Sequence, residues 1–434
     1  MGMGREIEDQ MKLETWTKVA RKMVEEAGHF IIPLRWPDLC FSRDYTGFES
    51  LQGCGLRLSG FFKKLGAQQL VEDACVMTYK GVIIFFFVDD IVMMYPKEKK
   101  AEWEELHAAI MKEYTINHMG ELRWFLGIEV IRDRAQKKLW LAQASYLSKM
   151  AKKFHIEDDD QILGVPQIPI TTEELKPYEK TATRDEVHQY LSLIGSILHP
   201  AIHTRPDGAF PVGKLAQFSH NPGPKHRREA RRCLAYLYHT RDRCICFSVK
   251  EAERRFLCAS DSSFADNPET RKSSQGYVFL FLGGPVDWKA TKQATVTTSS
   301  TEAELLALSS AAKEQMQFSR LIKELDIKVE GTNELWCDNL QTIRLLTELS
   351  AKLKTNLKHI DIHRHWLRQE VQEERLQITW IKSTENPADG MTKALPQQKH
   401  EAFVKQLGMQ GDRWHQLKPM RRRTVSTVSP PREI

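Results

Sequence analysis

From residue 256 onward the apolar pattern changes period in a fixed order, and that order constrains the fold more than any other feature of the sequence. FLCASDSS reads as a strand, and QGYVFLFLGG with VDWKAT as a hairpin across Gly283-Gly284. SSTEAELLALSSAAKEQMQFSRLIKEL then carries Leu305, Leu308, Ala312 and Met316 along one helical face. ELWCD is a short strand, NLQTIRLLTEL and HIDIHRHWLRQEVQEE are helices, and LQITWIKS is a last strand. Strand, strand, strand, helix, strand, helix, helix, strand is a specific α/β signature. It assigns residues 256–397 to one α/β domain.

The chain before it is organised differently. Residues 1–54 show little periodicity, are broken by Pro33 and Pro37, and read as a weakly structured segment. Residues 55–156 read as a mixed sheet with helices on it: VMTYK and VIIFFFV are strands around Gly81, and KEKKAEWEELHAAIMKEY is an amphipathic helix. LRWFLGIEVIRD and KLWLAQ follow as strands and YLSKMAKKF as a helix. Residues 157–255 read as a proline-rich linker and a mainly helical region, and residues 398–434 as a disordered basic tail. The fold class expected is therefore α/β and α+β in one chain.

With 434 residues the chain is long enough for two or three domains. A 41% hydrophobic and 28% charged composition excludes a wholly disordered protein. The net charge of +6 suits a polyanionic partner. Eight cysteines without a CxxC spacing suggest reduced thiols rather than a zinc or disulfide framework. No signal-peptide pattern or membrane-length apolar run is present, so an intracellular protein, cytoplasmic or nuclear and without a membrane partner, is expected.

Two constellations suggest chemistry. In GVIIFFFVDDIVMMY, Asp89 and Asp90 interrupt a run that is apolar on both faces and so belongs in a buried sheet. Aspartates serve tight turns, yet two ionised carboxylates at a buried strand end also call for cations or donors, and Mg²⁺ takes such oxygens. The second set is Asp261 at a strand end, Glu304 in the first turns of a helix, Asp338 at another strand end, and Asp389 near a helix start in NPADGMTKAL. Singly each fits a turn or a cap, with Thr301–Glu304 and Ser299–Glu302 both matching a capping box. Jointly, strand ends and helix starts converge on one edge of an α/β sheet, where such a cluster repels itself unless metal ions bind.

A further candidate is the basic helix KHRREARRCLAYLYHT, whose Lys225, Arg227, Arg228, Arg231 and Arg232 suit phosphate contacts or a solvated face. The Arg-rich stretch at 421–423 reads the same two ways. His359, His363 and His365 form no HExxH motif and read as surface or packing residues. No GxGxxG or P-loop supports a nucleotide cofactor.

Together these motifs resemble the copia class of retrotransposon polyproteins. Phe87-Val88-Asp89-Asp90 is similar to the YVDD box of reverse transcriptases. FLGIEV, the TRPD at 204–207 and LAYLYHT look like the segment linking polymerase to nuclease. SSQGYVFLFLGGPVDWKATKQATVTTSSTEAELLAL, CDN, KHIDIHRHWLR and ENPADGMTKAL look like the family's ribonuclease H. The resemblance covers residues 55–397 and implies a partial polymerase palm at 55–156, a connection region, and a ribonuclease H-like domain. It implies Asp261, Glu304, Asp338 and Asp389 as nuclease carboxylates and Asp89 and Asp90 as a polymerase metal pair, with Mg²⁺ or Mn²⁺ as cofactor.

The departures shape the expectation. This sequence has no motif resembling the DVxxAF that carries the family's further palm aspartate, and only Gly55-Leu56-Arg57 and Ser59 look like its YGLKQSP box. DSSFAD stands where the family has DADWAGD. A chain truncated on its N-terminal side is therefore expected, cleaving the RNA strand of RNA/DNA hybrids without polymerising. The alternative is a non-catalytic remnant that binds nucleic acid. Other retroelement products are further partners the resemblance implies.

Overall fold

The computed structural model describes residues 30–35, 58–87, 90–114, 116–156, 166–249, 255–327, 329–348 and 358–411. These form a mixed α/β structure of three sheets. The first holds β1 (Phe30–Arg35), β2 (Gln68–Gln69), β3 (Val76–Tyr79), β4 (Val82–Phe87), β5 (Asp90–Tyr95) and β6 (Asn117–His118), in the order β2-β3-β4-β5-β1-β6. Lys80 and Gly81, both at positive φ, make the two-residue turn from β3 to β4, the geometry that matches strand twist.

The apolar run of β4 is explained by burial on both sides. Val82, Ile84 and Phe86 pack under helix α1 (Lys100–Glu113), which contributes Leu106 and Ile110. Ile83 and Phe85 point the other way, into the core shared with the rest of the molecule. Phe87 pairs with Asp90 across the hairpin tip, so β4 and β5 form the antiparallel pair expected around the acidic residues.

One expectation fails at the N-terminal side. FIIPLR, in the segment read as weakly structured, is β1, a central strand between β5 and β6. Its partner strand lies far along the chain, which local periodicity does not see. Among the described residues β6 pairs only with Leu34 and Arg35, so Pro33 meets no ladder partner on that flank.

The second sheet contains β7 (Trp124–Phe125), β8 (Ile128–Asp133), β9 (Lys138–Ala142) and β10 (Ile245–Ser248). Between β9 and β10 the chain forms helices α2 (Ala144–Lys153), α3 (Arg184–His203), α4 (Ala209–Ala216) and α5 (Pro224–His239), which share a core including Leu147, Tyr190, Val212 and Leu234. The TRPD motif lies here as a buried ion pair: Arg205 donates to both oxygens of Asp207, at 2.8 and 2.7 Å. Tyr236 donates to the same carboxylate at 2.7 Å.

The third sheet has β11 (Arg255–Ser263), β12 (Ser274–Phe281), β13 (Gly284–Lys292), β14 (Glu330–Cys337) and β15 (Gln377–Trp380), ordered β13-β12-β11-β14-β15. The first three are antiparallel, and β11–β14 and β14–β15 are parallel. The hairpin turns at Leu282-Gly283, both at positive φ, one residue earlier than expected. Helices α6 (Ser300–Glu324), α7 (Leu340–Thr347) and α8 (Lys358–Gln372) follow the order read from the sequence.

At the far end the structure overturns a second expectation. Residues 398–406 of the supposed disordered tail lie in helix α9 (Gln397–Gln406). It buries Phe403 and Val404, and His400 reaches Tyr236 at 2.7 Å, linking α9 to the TRPD network. Burial holds the His400 imidazole down at about 4, so it docks neutral at ordinary pH. Residues 412–434, with the 421–423 arginines, lie outside the described residues.

One apolar core runs through all three sheets, from Ile83 and Phe85 through Leu139 and Phe247 to Phe256, Phe279 and Leu308. Glu324 at the end of α6 accepts the backbone N–H groups of Val71 and Glu72 at 3.0 and 3.3 Å. The first sheet and the third are therefore packed parts of one body.

Candidate metal centre

Asp261 sits near the end of β11, almost fully buried, opposite Gly276 of β12. That glycine is a requirement of packing. A Cβ on it would lie 2.4 Å from Met391 Cβ and 3.1 Å from Met391 O, so only glycine lets the 389–391 turn press on the sheet beside Asp261. The turn is a single 3-10 turn, Asp389–Met391, not the helix start expected for Asp389; the following helix begins only at Gln397. Asn386 pins it by donating to Ser260 O at 3.0 Å and accepting from Ala388 N at 2.9 Å. Behind it, Gly390 lies so close to the Phe403 ring of α9 that a Cβ would be 2.5 Å from it.

Glu304 comes from the second turn of α6. The cap of that helix is Ser299, which accepts from Glu302 N at 3.2 Å, while Glu302 accepts from Thr298 N at 2.7 Å. Glu304 is thus free of capping duty and turns to the sheet, where Oε1 accepts from Ser262 N at 3.1 Å. Its Oε2 is buried without a hydrogen-bond partner. Asp338 directly follows β14; Asn339, not Asp338, caps α7 by accepting from Thr342 N at 3.0 Å. The Trp380 indole fixes the Asp338 main chain by donating to its carbonyl at 3.2 Å.

These elements bring the four carboxylates together. Single oxygens of Asp261, Asp338 and Asp389 lie within 4.8 Å of one another, and so do ligand atoms of Glu304, Cys337 and Asp338. Asp338 belongs to both groups. Lys393 is the nearby cation, 2.7 Å from Asp389 Oδ1 and 3.7 Å from Asp261 Oδ2, and the Thr392 hydroxyl donates to Asp261.

The electrostatics report a site short of positive charge. Burial, with Asp389 and Asp338 adding repulsion, pushes the Asp261 carboxyl up to about 7 despite Lys393. Burial and the charges of Asp261 and Asp338 push Glu304 well above the ordinary carboxylate range, and burial raises Asp389 too. Burial pulls on Lys393 in the opposite sense, but the facing carboxylates outweigh it and raise its pKa. The donor set is all oxygen at Asp261, Asp338 and Asp389, which fits a hard divalent cation, and the orphaned Glu304 oxygen supplies a further ligand.

The other predicted residues are placed differently. Asp89 lies outside the described residues; Asp90 is the half-buried first residue of β5, and neither group of clustered ligands found among the described residues includes it. On α5, Lys225 pairs with Glu173 at 3.1 Å, Arg227 with Glu186 at 2.5 Å, and Arg232 with Glu229 at 3.9 Å. Arg231 donates to the carbonyls of Phe154 and His155, and Arg228 is exposed. This basic face is thus largely engaged within the chain. His363 meets Ser309 at 2.7 Å and His365 faces Asp361 at 3.6 Å, as packing and surface residues; the His359 side chain lies outside the described residues. Sequence reading missed Gly276, Asn386, Thr392 and Lys393. Three of them stand in the ENPADGMTKAL string, and Gly276 in SSQGYV, where a lone glycine inside an apolar strand signals a close backbone approach.

The third sheet and its acidic edge form an α/β region, joined through helices to the first sheet, which carries the acidic hairpin and is antiparallel throughout rather than the mixed sheet expected. No family model matches the chain. It is 29% identical over 368 residues, 82% of its length, to the retrovirus-related Pol polyprotein from transposon TNT 1-94 of Nicotiana tabacum. It is 28% identical over 305 residues, 69% of its length, to that from transposon RE1 of Arabidopsis thaliana. The chain spans only 27% and 20% of those two relatives. Among solved structures, the foamy viral protease-reverse transcriptase in complex with RNA/DNA hybrid aligns with 82% of this chain and 44% of that one, at 10% identity and a TM-score of 0.43. Over most of its length the chain is thus similar to retrovirus-related Pol polyproteins of transposons.

Proposed function

We propose that this chain is a reverse transcriptase/ribonuclease H portion of a copia-type polyprotein whose chemistry is hydrolysis of the RNA strand of RNA/DNA hybrids. The observation that carries the reading is the meeting of Asp261, Glu304, Asp338 and Asp389 at one sheet edge, with a buried Glu304 oxygen left without a donor. Asp261, Asp338 and Asp389 would hold one divalent cation, Mg²⁺ or Mn²⁺, and Glu304 with Asp338 a second. Bound there, such ions supply an activated water and charge stabilisation at the leaving oxygen of a phosphodiester.

The chain's own residues do the rest. Thr392 orients Asp261 by donating to it, and Asn386 holds the turn that carries Asp389. Trp380 fixes the backbone at Asp338, and Lys393 limits the repulsion among the carboxylates. Polymerisation is not proposed, because this sequence has no counterpart of the upstream palm aspartate. Among the described residues no helix is long and apolar enough to cross a membrane.

The test is cleavage of a labelled hybrid by the full chain with Mg²⁺, against single-stranded RNA as control. Hybrid cleavage that needs the divalent ion and disappears in Asp338→Asn supports the reading. Metal-independent cleavage, or cleavage surviving that substitution, rejects the site.

A further inference from the structure

Cys337, the last residue of β14, is fully buried, and its Sγ belongs to the same close group as oxygens of Glu304 and Asp338, all within 4.8 Å. The thiol faces the Asn339 carbonyl at 3.9 Å, a weak contact for a weak donor. Glu304 is 6% exposed, and its Oε2 has no hydrogen-bond partner. A sulfur and two carboxylates, one with an orphaned buried oxygen, make a donor set unlike the all-oxygen group at Asp261, Asp338 and Asp389.

Hard and soft cations separate on this difference. Mg²⁺ takes oxygens and has no use for sulfur, whereas Zn²⁺ and Cd²⁺ accept thiolate together with carboxylate. We propose that Cys337, Glu304 and Asp338 form a soft-cation site through which Zn²⁺ or Cd²⁺ displaces the hard metals and inhibits the centre. The inference rests on the reading of Glu304 and Asp338 as metal ligands. Binding forms a metal–sulfur bond at Cys337, whose thiol proton leaves to solvent. Because Asp338 belongs to both ligand groups, a cation held by sulfur draws it away from Asp261 and Asp389. A nuclease regulated by trace zinc follows from one residue beside the catalytic aspartate.

The experiment uses the full chain, titrated with Cd²⁺ and followed by the ultraviolet sulfur-to-cadmium charge-transfer absorption. Wild type is compared with Cys337→Ser and Cys337→Ala, each checked by thermal melt for folding, so that the remaining cysteines cancel in the difference. The result expected is a Cd²⁺–thiolate band present in wild type and absent from both variants. Competition should show Zn²⁺ affinity falling at least about tenfold in both variants while Mg²⁺ affinity stays within about twofold. Identical cadmium spectra in all three folded proteins, or equal Zn²⁺ affinity, overturns the proposal. Mg²⁺-dependent hybrid cleavage without a Cys337-dependent band removes the soft site alone. A Cys337-dependent band without any hybrid cleavage keeps the soft site and removes the hydrolytic reading.

Discussion

Asp90 and Asp261 both stand near the ends of strands, Asp90 in an antiparallel sheet and Asp261 in a mixed one, but their surroundings differ in kind. Asp90 opens β5 across a hairpin tip, a position set by neighbours in sequence. Asp261 lies where β11, β14, α6 and the 389–391 turn converge, and its acidic companions arrive from distant parts of the chain. The second arrangement needs support that the first does not: a glycine opposite Asp261, an asparagine holding the turn, and α9 packed behind it. A motif can outlive its site, whereas a cluster built from long-range packing is kept only with the packing.

The comparison breaks most directly at the shared ligand. Asp338→Asn should lower Mg²⁺-dependent hybrid cleavage on the order of a thousandfold, since it removes a ligand from both groups, whereas Asp90→Asn should leave the rate unchanged. Steady-state cleavage rates of the two variants decide this, and a large loss in Asp90→Asn would join the two regions functionally.

Next comes the support. Phe403→Ala should destabilise the protein by about 3 to 5 kcal/mol in chemical denaturation, because a buried ring against Gly390 leaves a cavity. Gly276→Ala should cost about 1 to 3 kcal/mol and weaken Mg²⁺ binding in calorimetry, as its methyl meets Met391. Unchanged metal affinity in Gly276→Ala would show that the turn does not position Asp389.

A further energetic effect concerns pH. The Asp261 carboxyl is raised from 3.8 to about 7 in the fold, so the folded state binds its proton more tightly than the unfolded chain. The resulting stability is complete below the unfolded value and is lost as pH rises through about 7. Metal-free protein should therefore lose on the order of a few kcal/mol between about pH 4 and 8 relative to Asp261→Asn, and saturating Mg²⁺ should remove the difference. Denaturation curves across that range would show the slope. Least affected should be hybrid affinity in Arg227→Ala, changed by less than about threefold in a filter-binding titration, because Arg227 is engaged with Glu186.

Much of this was legible in the sequence where structure is local. The order of strands and helices from residue 256 followed from apolar period alone, and the two-sided burial of β4 followed from its unbroken apolar run. The segments missed were those whose reason lies elsewhere in the chain. FIIPLR becomes a strand because β5 and β6 flank it, and α9 orders because Phe403 and His400 find the 389–391 turn and the TRPD network. The partners of the basic face of α5 were hidden for the same reason, since Glu173, Glu186 and the carbonyls after α2 are not neighbours in sequence. Asp261 and Asp338 were legible because strand ends mark them, whereas Asp389 sits in a turn rather than a helix start, and Lys393 and Thr392 gain meaning only when that turn is laid on the sheet.

One measurement tests the central claim, that the chemistry belongs to the four-carboxylate edge and not to the acidic hairpin. A single preparation of the full chain is given Mg²⁺, a labelled RNA/DNA hybrid, and a primed RNA template with deoxynucleotides. The account predicts hybrid cleavage that depends on the metal, with no primer extension. Robust extension without hybrid cleavage would contradict it.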